Sequence, residues 1–164
     1  MLEANARNLL TYDIEHQYAV HVSVSSNVGW LDFTHGLTFA NAVRQTCTRY
    51  PDLWPQGLLQ IACFLGLNGA FVDSSADYRE WIADDLPQQL ARLLARVTDH
   101  GQAEYIVSVQ WLKLIVAMRE ELRHGSSETG ALVLAATKRF IESPQRRRQV
   151  RRTAYQSLKF VARA

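Results

Sequence analysis

YIVSVQWLKLIVAMREEL, residues 105–122, places Val107, Trp111, Leu114, Ile115, Met118 and Leu122 at spacings of three and four, the period of one α-helical face. A strand would alternate every second residue, and this stretch does not. Asp99 with Gln102 is the expected start of the helix, and Arg123, His124 and Gly125 close it with two cationic residues and a C′ glycine.

The same period continues on both sides. A first helix is expected over about residues 3–25, although its β-branched end VHVSVSS suits extended backbone equally well. A second runs from about Leu31 to Tyr50 with Phe33, Leu37, Ala40 and Val43 inward, and Pro51 stops it. Asp52 is the expected N-cap of a third, with Pro55 in its first turn, followed by the run Leu58 to Val72. That run is apolar almost all round, but it is shorter than the ~20 residues of a bilayer span and contains Gln60, Gly66, Asn68 and Gly69, so a buried central helix is expected. Ser74 and Asp77 suggest a capping box and a short helix, with a break at Pro87 and a further helix from Gln88 to Val97. Downstream, an element covers about Gly130 to Glu142. Ser143 and Pro144 then read as N-cap and N1 of a final helix, about 144–163, with Val150, Ala154, Leu158 and Val161 as its inward stripe. The expectation is an all-α fold: one compact domain over residues 1–164 with six to eight helices.

With 164 residues, 48% of them hydrophobic and 21% charged, the chain can bury one sizeable core, and its composition excludes disorder and collagen-like repeats. The formal charge of +2 hides a polarity. Residues 1–137 carry 9 Lys+Arg against 15 Asp+Glu, a formal −6, whereas residues 138–164 carry 9 against 1, a formal +8. The start MLEANARNLLTYDIEHQ has no basic region followed by an apolar one, so a cytoplasmic location is expected. Cys47 and Cys63 lack any Cys-x-x-Cys spacing and read as small core residues. The chain reads as either a whole domain or a module cut from a larger protein.

No Gly-rich phosphate loop, Gly-x-Ser-x-Gly elbow, His-Glu-x-x-His or paired Cys-x-x-Cys occurs. Two pairs, Asp32 with His35 and Glu121 with His124, put a carboxylate and an imidazole on one helical face. A di-iron bundle needs two such Glu-x-x-His helices and further inward carboxylates, and Glu15 and Glu104 do not supply them. No metal and no cofactor is therefore assigned. FTHGLTFANAV (33–43) sets His35, Thr38 and Asn41 in an apolar helix, and the next helix adds Gln60 and Asn68. These five either bond one another between packed helices or line a ligand pocket. Trp54, Trp81 and Trp111 read as core or interfacial residues. Arg146, Arg147, Arg148, Arg151 and Arg152 form a basic face that either balances the acidic body, meets an acidic protein partner, or binds phosphates. Nucleic acid is the weakest of these readings.

The stretches FTHGLTFANAV (33–43), LLQIACFLGLNGAFVD (58–73) and IESPQRRR (141–148) together resemble a bacterial helical family found alone or beside Rieske-type iron–sulfur domains, distantly similar to questin oxidase-like proteins. The resemblance implies an all-α accessory module and, as a partner, an iron–sulfur protein. A Rieske cluster needs Cys and His ligand pairs that this chain lacks, so a cluster would lie on another chain or domain. Gln110 and Trp111 stand where an oxidase would need a histidine to pair with His35. The leading expectation is a helical interaction domain. Its rival is an oxidoreductase or small-molecule binder with His35 as general acid/base, and its third reading is nucleic-acid binding through the basic helix. A homodimer is also open, because the aromatic-rich helices could bury an apolar face against a second copy.

Overall fold

The computed structural model describes residues 1–145 and 149–162, with eight α-helices in one all-α arrangement. They are α1 (Leu2–Leu10), α2 (Glu15–Tyr18), α3 (Trp30–Arg49), α4 (Trp54–Gly69), α5 (Leu86–Thr98), α6 (Tyr105–His124), α7 (Ser127–Glu142) and α8 (Gln149–Val161). Short 3-10 turns occupy Val24–Ser26, Pro51–Leu53 and Arg79–Trp81. Arg146, Arg147 and Arg148 lie outside the described residues.

The stripe of α6 is buried as the spacing predicts, with Leu114, Ile115 and Met118 fully enclosed. It packs against α7, whose Val133, Leu134, Ala136 and Phe140 are equally enclosed, and against α3 through Phe33 and Leu37. Each such side chain contributes about 1.5–3 kcal/mol of burial. The helix α1 crosses between α3 and α7, and its carbonyl end is closed by a side chain from α7. Arg139 donates to the carbonyls of Leu9 (2.5 Å) and Tyr12 (2.8 Å) while its guanidinium lies over the Trp30 ring. Burial, which outweighs the pull of Glu80, lowers the Arg139 pKa, and the carbonyls recover part of the lost solvation.

Several boundaries differ from expectation. The first helix ends at Leu10 because Tyr12 pairs with Val72 in an isolated antiparallel bridge, with Asp13 N–H donating to Phe71 and Asp73 N–H to Thr11. Asp52 is not the N-cap of α4: it lies within the 3-10 turn Pro51–Leu53, and Leu53 holds the cap position. Residues 73–77 form turns rather than a helix, with the Asp73 carboxylate accepting from Ser75. Pro87 does not break a helix: it sits in the first turn of α5, capped by Asp85 accepting from Gln88 N–H (2.9 Å). Asp99 ends α5, and Gly101, at φ +58°, turns the chain before α6 begins at Tyr105. The helix α7 starts three residues earlier than expected, at Ser127, capped by Ser126.

The larger correction concerns α4. It is not a buried central helix. Only Ile61 and Asn68 are buried, while Leu59 is 65% and Leu67 51% exposed, and Cys63 is exposed rather than core. The helix lies at the edge of the bundle, chiefly against α3 and α1. Its close approach to α3 depends on Gly57, where a Cβ would meet Val43 at 2.5 Å; Gly36 of α3 serves the contact with α1, since a Cβ there would meet Asn5 Oδ1 at 2.5 Å.

The glycines therefore give opposite signs. Gly36→Ala should destabilise the fold by about 1–3 kcal/mol, because Asn5 is enclosed and cannot retreat. Gly66→Ala, with nothing within 4 Å of the added carbon, should stabilise it by up to ~1 kcal/mol. Urea unfolding of the two variants measures both.

Candidate functional site

The helices α4, α3 and α6 lie side by side, and a groove runs between them with α3 as its floor. The floor is the helical stripe His35, Thr38, Phe39, Ala42, Gln45 and Thr46. Phe64 stands on the α4 wall, 5.3 Å ring to ring from Phe39, and Lys113, Val116, Ala117 and Glu120 form the α6 wall. The groove is open along its length and holds about 690 Å³.

One buried carboxylate sets the spacing of α3 and α6. Glu121, 2% exposed, receives Asn41 Nδ2 at 2.7 Å and Arg44 Nε at 2.8 and 3.0 Å on its two oxygens. Asn41 also donates to the Ala117 carbonyl and accepts from Gln45 Nε2 at 2.9 Å. A carboxylate this enclosed costs several kcal/mol unless paired, so Asn41 and Arg44 must face it. The two helices run parallel, which puts His35 beside Lys113 at one end of the groove and Gln45 and Thr46 beside Glu120 at the other.

His35 is half-buried, with its imidazole facing the groove. Burial, and then the nearby Lys113 ammonium, holds its pKa below the ordinary 6.5 against the opposing pull of Asp32. It is therefore a neutral imidazole at pH 7. The Thr38 hydroxyl donates to the Thr34 carbonyl (3.1 Å), which leaves its oxygen only as an acceptor toward the groove, and Asn41 is engaged by Glu121 and Gln45.

Of the five polar residues proposed for a pocket, the groove unites His35, Thr38 and Asn41 and leaves out two. Gln60 is exposed on α4, and Asn68 is wholly buried beneath it, donating to the Asp32 carbonyl at 3.3 Å. In both carboxylate–imidazole pairs the carboxylate has other partners, although Asp32 still acts on His35. Asp32 accepts from the Gly29 N–H at the start of α3, Glu121 is committed to Arg44, and exposed His124 lies 3.9 Å from Glu120 instead. Among the described residues no group of three or more His, Cys, Asp or Glu could hold a metal ion. Residues missed by sequence reasoning are Phe39, Phe64, Lys113, Val116 and Glu120. A signal existed for the floor, since 35, 38, 39, 42, 45 and 46 are one helical stripe.

The basic helix is also reversed. Arg152 is 2% exposed, not part of a solvated face. It donates to the carbonyls of His16 (2.6 Å), Gln17 (3.2 Å) and Ala19 (2.8 Å) and to Asn27 Oδ1 (3.1 Å). Arg151 is exposed. The intended inward stripe faces water, with Val150 83%, Leu158 71% and Val161 71% exposed.

No protein-family model, curated protein or solved structure matches the chain. Among the described residues no helix is long and apolar enough to cross a membrane.

Two outcomes follow from the groove's electrostatics. Glu121→Ala should cost about 3 kcal/mol in chemical denaturation, because it strands Asn41 and the partly buried Arg44. His35 should titrate by NMR below 6.5, and Lys113→Gln should move its midpoint upward. As the folded pKa is the lower one, the unfolded chain binds the extra proton. The His35 contribution to stability is thus complete above 6.5 and declines as pH falls below it.

Proposed function

We propose that this chain is a helical interaction domain whose α3–α4–α6 groove receives one amphipathic helix. The observation that carries this reading is the uncovered apolar wall of α6. Val116 in the groove wall is 51% exposed, and Val109 (57%) and Ile106 (55%) recur on the same side of the helix before Lys113, outside the groove lining itself. Monomeric surfaces seldom leave such a stripe to water, and a groove with a helix floor and helix walls fits a helix in shape.

The chemistry of the occupant follows from the ends. The floor from His35 to Thr46 is twelve residues long, about 17 Å between its end residues at 1.5 Å per residue, which is three turns. A helix places partial positive charge at its N-terminus and negative at its C-terminus. The occupant therefore starts at Glu120, ends at Lys113 and runs antiparallel to α3. Its inward face is aliphatic and uncharged, to meet Phe39, Ala42, Phe64 and Val116.

A helix-stabilised peptide of three turns, with a leucine stripe and arginines in its first turn, tests this. It should shift the NMR signals of Ala42, Val116 and Glu120, and Val116→Asp should weaken it tenfold or more while leaving the fold intact. Moving the arginines to the last turn, toward Lys113, should weaken it as well. Shifts scattered over the surface, or indifference to Val116→Asp, would overturn the reading. The rival, a small-molecule site, rests on the accessible imidazole of His35. It would gain if the peptide failed and a small ligand perturbed His35 alone.

A further inference from the structure

We infer that the groove's occupant is α8 of a second copy of this chain, exchanged reciprocally to form a closed dimer. This rests on the helix-binding reading above and names its partner.

Amphipathic helices ordinarily bury the apolar side, and α8 does the reverse. Arg152, Tyr155 and Gln156 face the chain's own residues 16–27, where Gln156 Nε2 reaches the carbonyls of Val22 and Ser23 (3.4 Å each). His21 meets the Tyr155 ring edge-on at 4.8 Å. At 100° per residue, Val150, Ala154, Leu158 and Val161 then fall on the opposite side and point away from the molecule. The Arg152 bonds prevent the helix from rolling to hide them.

This outward stripe matches the groove in three independent respects. In length, α8 has thirteen residues against a floor of twelve. In chemistry, the stripe holds no charged side chain and the middle of the groove is apolar. In polarity, Arg151 at the start of α8 meets the groove end marked by Glu120, while Lys159 lies on the side turned toward its own chain and away from Lys113. The chain's own charge division agrees, with a basic C-terminal region against an acidic body. Each copy has one stripe and one groove, so mutual exchange satisfies both and stops at two copies. One-way docking would instead propagate into a filament.

The test uses the full chain in two variants on exposed positions, Leu158→Asp in α8 and Val116→Asp in the groove, each first shown by circular dichroism to remain folded. Light scattering of the unaltered chain should give near twice the 18.6 kDa chain mass. Each variant alone should dissociate at least tenfold more readily. Mixed, the two should recover a heterodimer, because one intact helix still meets one intact groove. Contacts of α8 with α8, or groove with groove, would show no recovery on mixing and would overturn the proposal. So would an unaltered chain that stays monomeric, or one whose α8 stripe binds anionic vesicles as a monomer. If the dimer ignores Leu158→Asp while the leucine-stripe peptide still occupies the groove, the second-copy assignment fails and the helix-binding reading stands.

Discussion

A carboxylate in the seam between two long helices sets what this surface can be. Glu121 sits within the bundle and is tolerable there only because Asn41 and Arg44 turn toward it from α3. That requirement fixes the register and separation of α3 and α6. The outward stripe of α3 then lies level between Phe64 on one side and Val116 on the other, and a groove of helix width follows. If the network were replaced by aliphatic packing, the two helices would still cohere, but the register that pairs His35 with Lys113 and Thr46 with Glu120 would no longer be specified.

Arginine recurs as the solution to exposed backbone ends. Arg139 closes the carbonyl terminus of α1, and Arg152 gathers the carbonyls at the end of α2. Both guanidiniums supply several fixed N–H donors at once, which suits the clustered carbonyls left where helices stop. The two cases differ in consequence. Arg139 is embedded beside Trp30 and ties α1 to α7, whereas Arg152 holds α8 by its polar side and leaves the apolar side uncovered. The unusual surface of this molecule results from where a backbone needed donors.

The exposed apolar residues of α4, α6 and α8 share one explanation. Each of these helices borders the bundle on only part of its circumference, and the sequence places aliphatic residues on the remaining part as well. In α4 no charged residue occurs over sixteen positions, so its free side had no polar alternative to present. Contiguous apolar surface of this kind is rare on monomeric proteins.

By itself, the sequence determined the helical class, the extent of α3, α5, α6 and α7 to within a few residues, and the inward stripe of α6 from Val107 to Met118. In these segments apolar period and punctuating residues agree. It also marked His35 as a groove residue, through the polar positions set in FTHGLTFANAV. The tertiary structure alone decided the rest. Periodicity is silent for α4, which is apolar on every side, and its position at the edge depends on which neighbours the core had already claimed. For α8 the period is clear and the ordinary rule assigns the wrong side. The carbonyls of His16, Gln17 and Ala19 cluster locally at the end of α2, but only the folded chain brings Arg152 from the far end of the sequence against them, and they hold it inward more strongly than four small aliphatic residues can oppose.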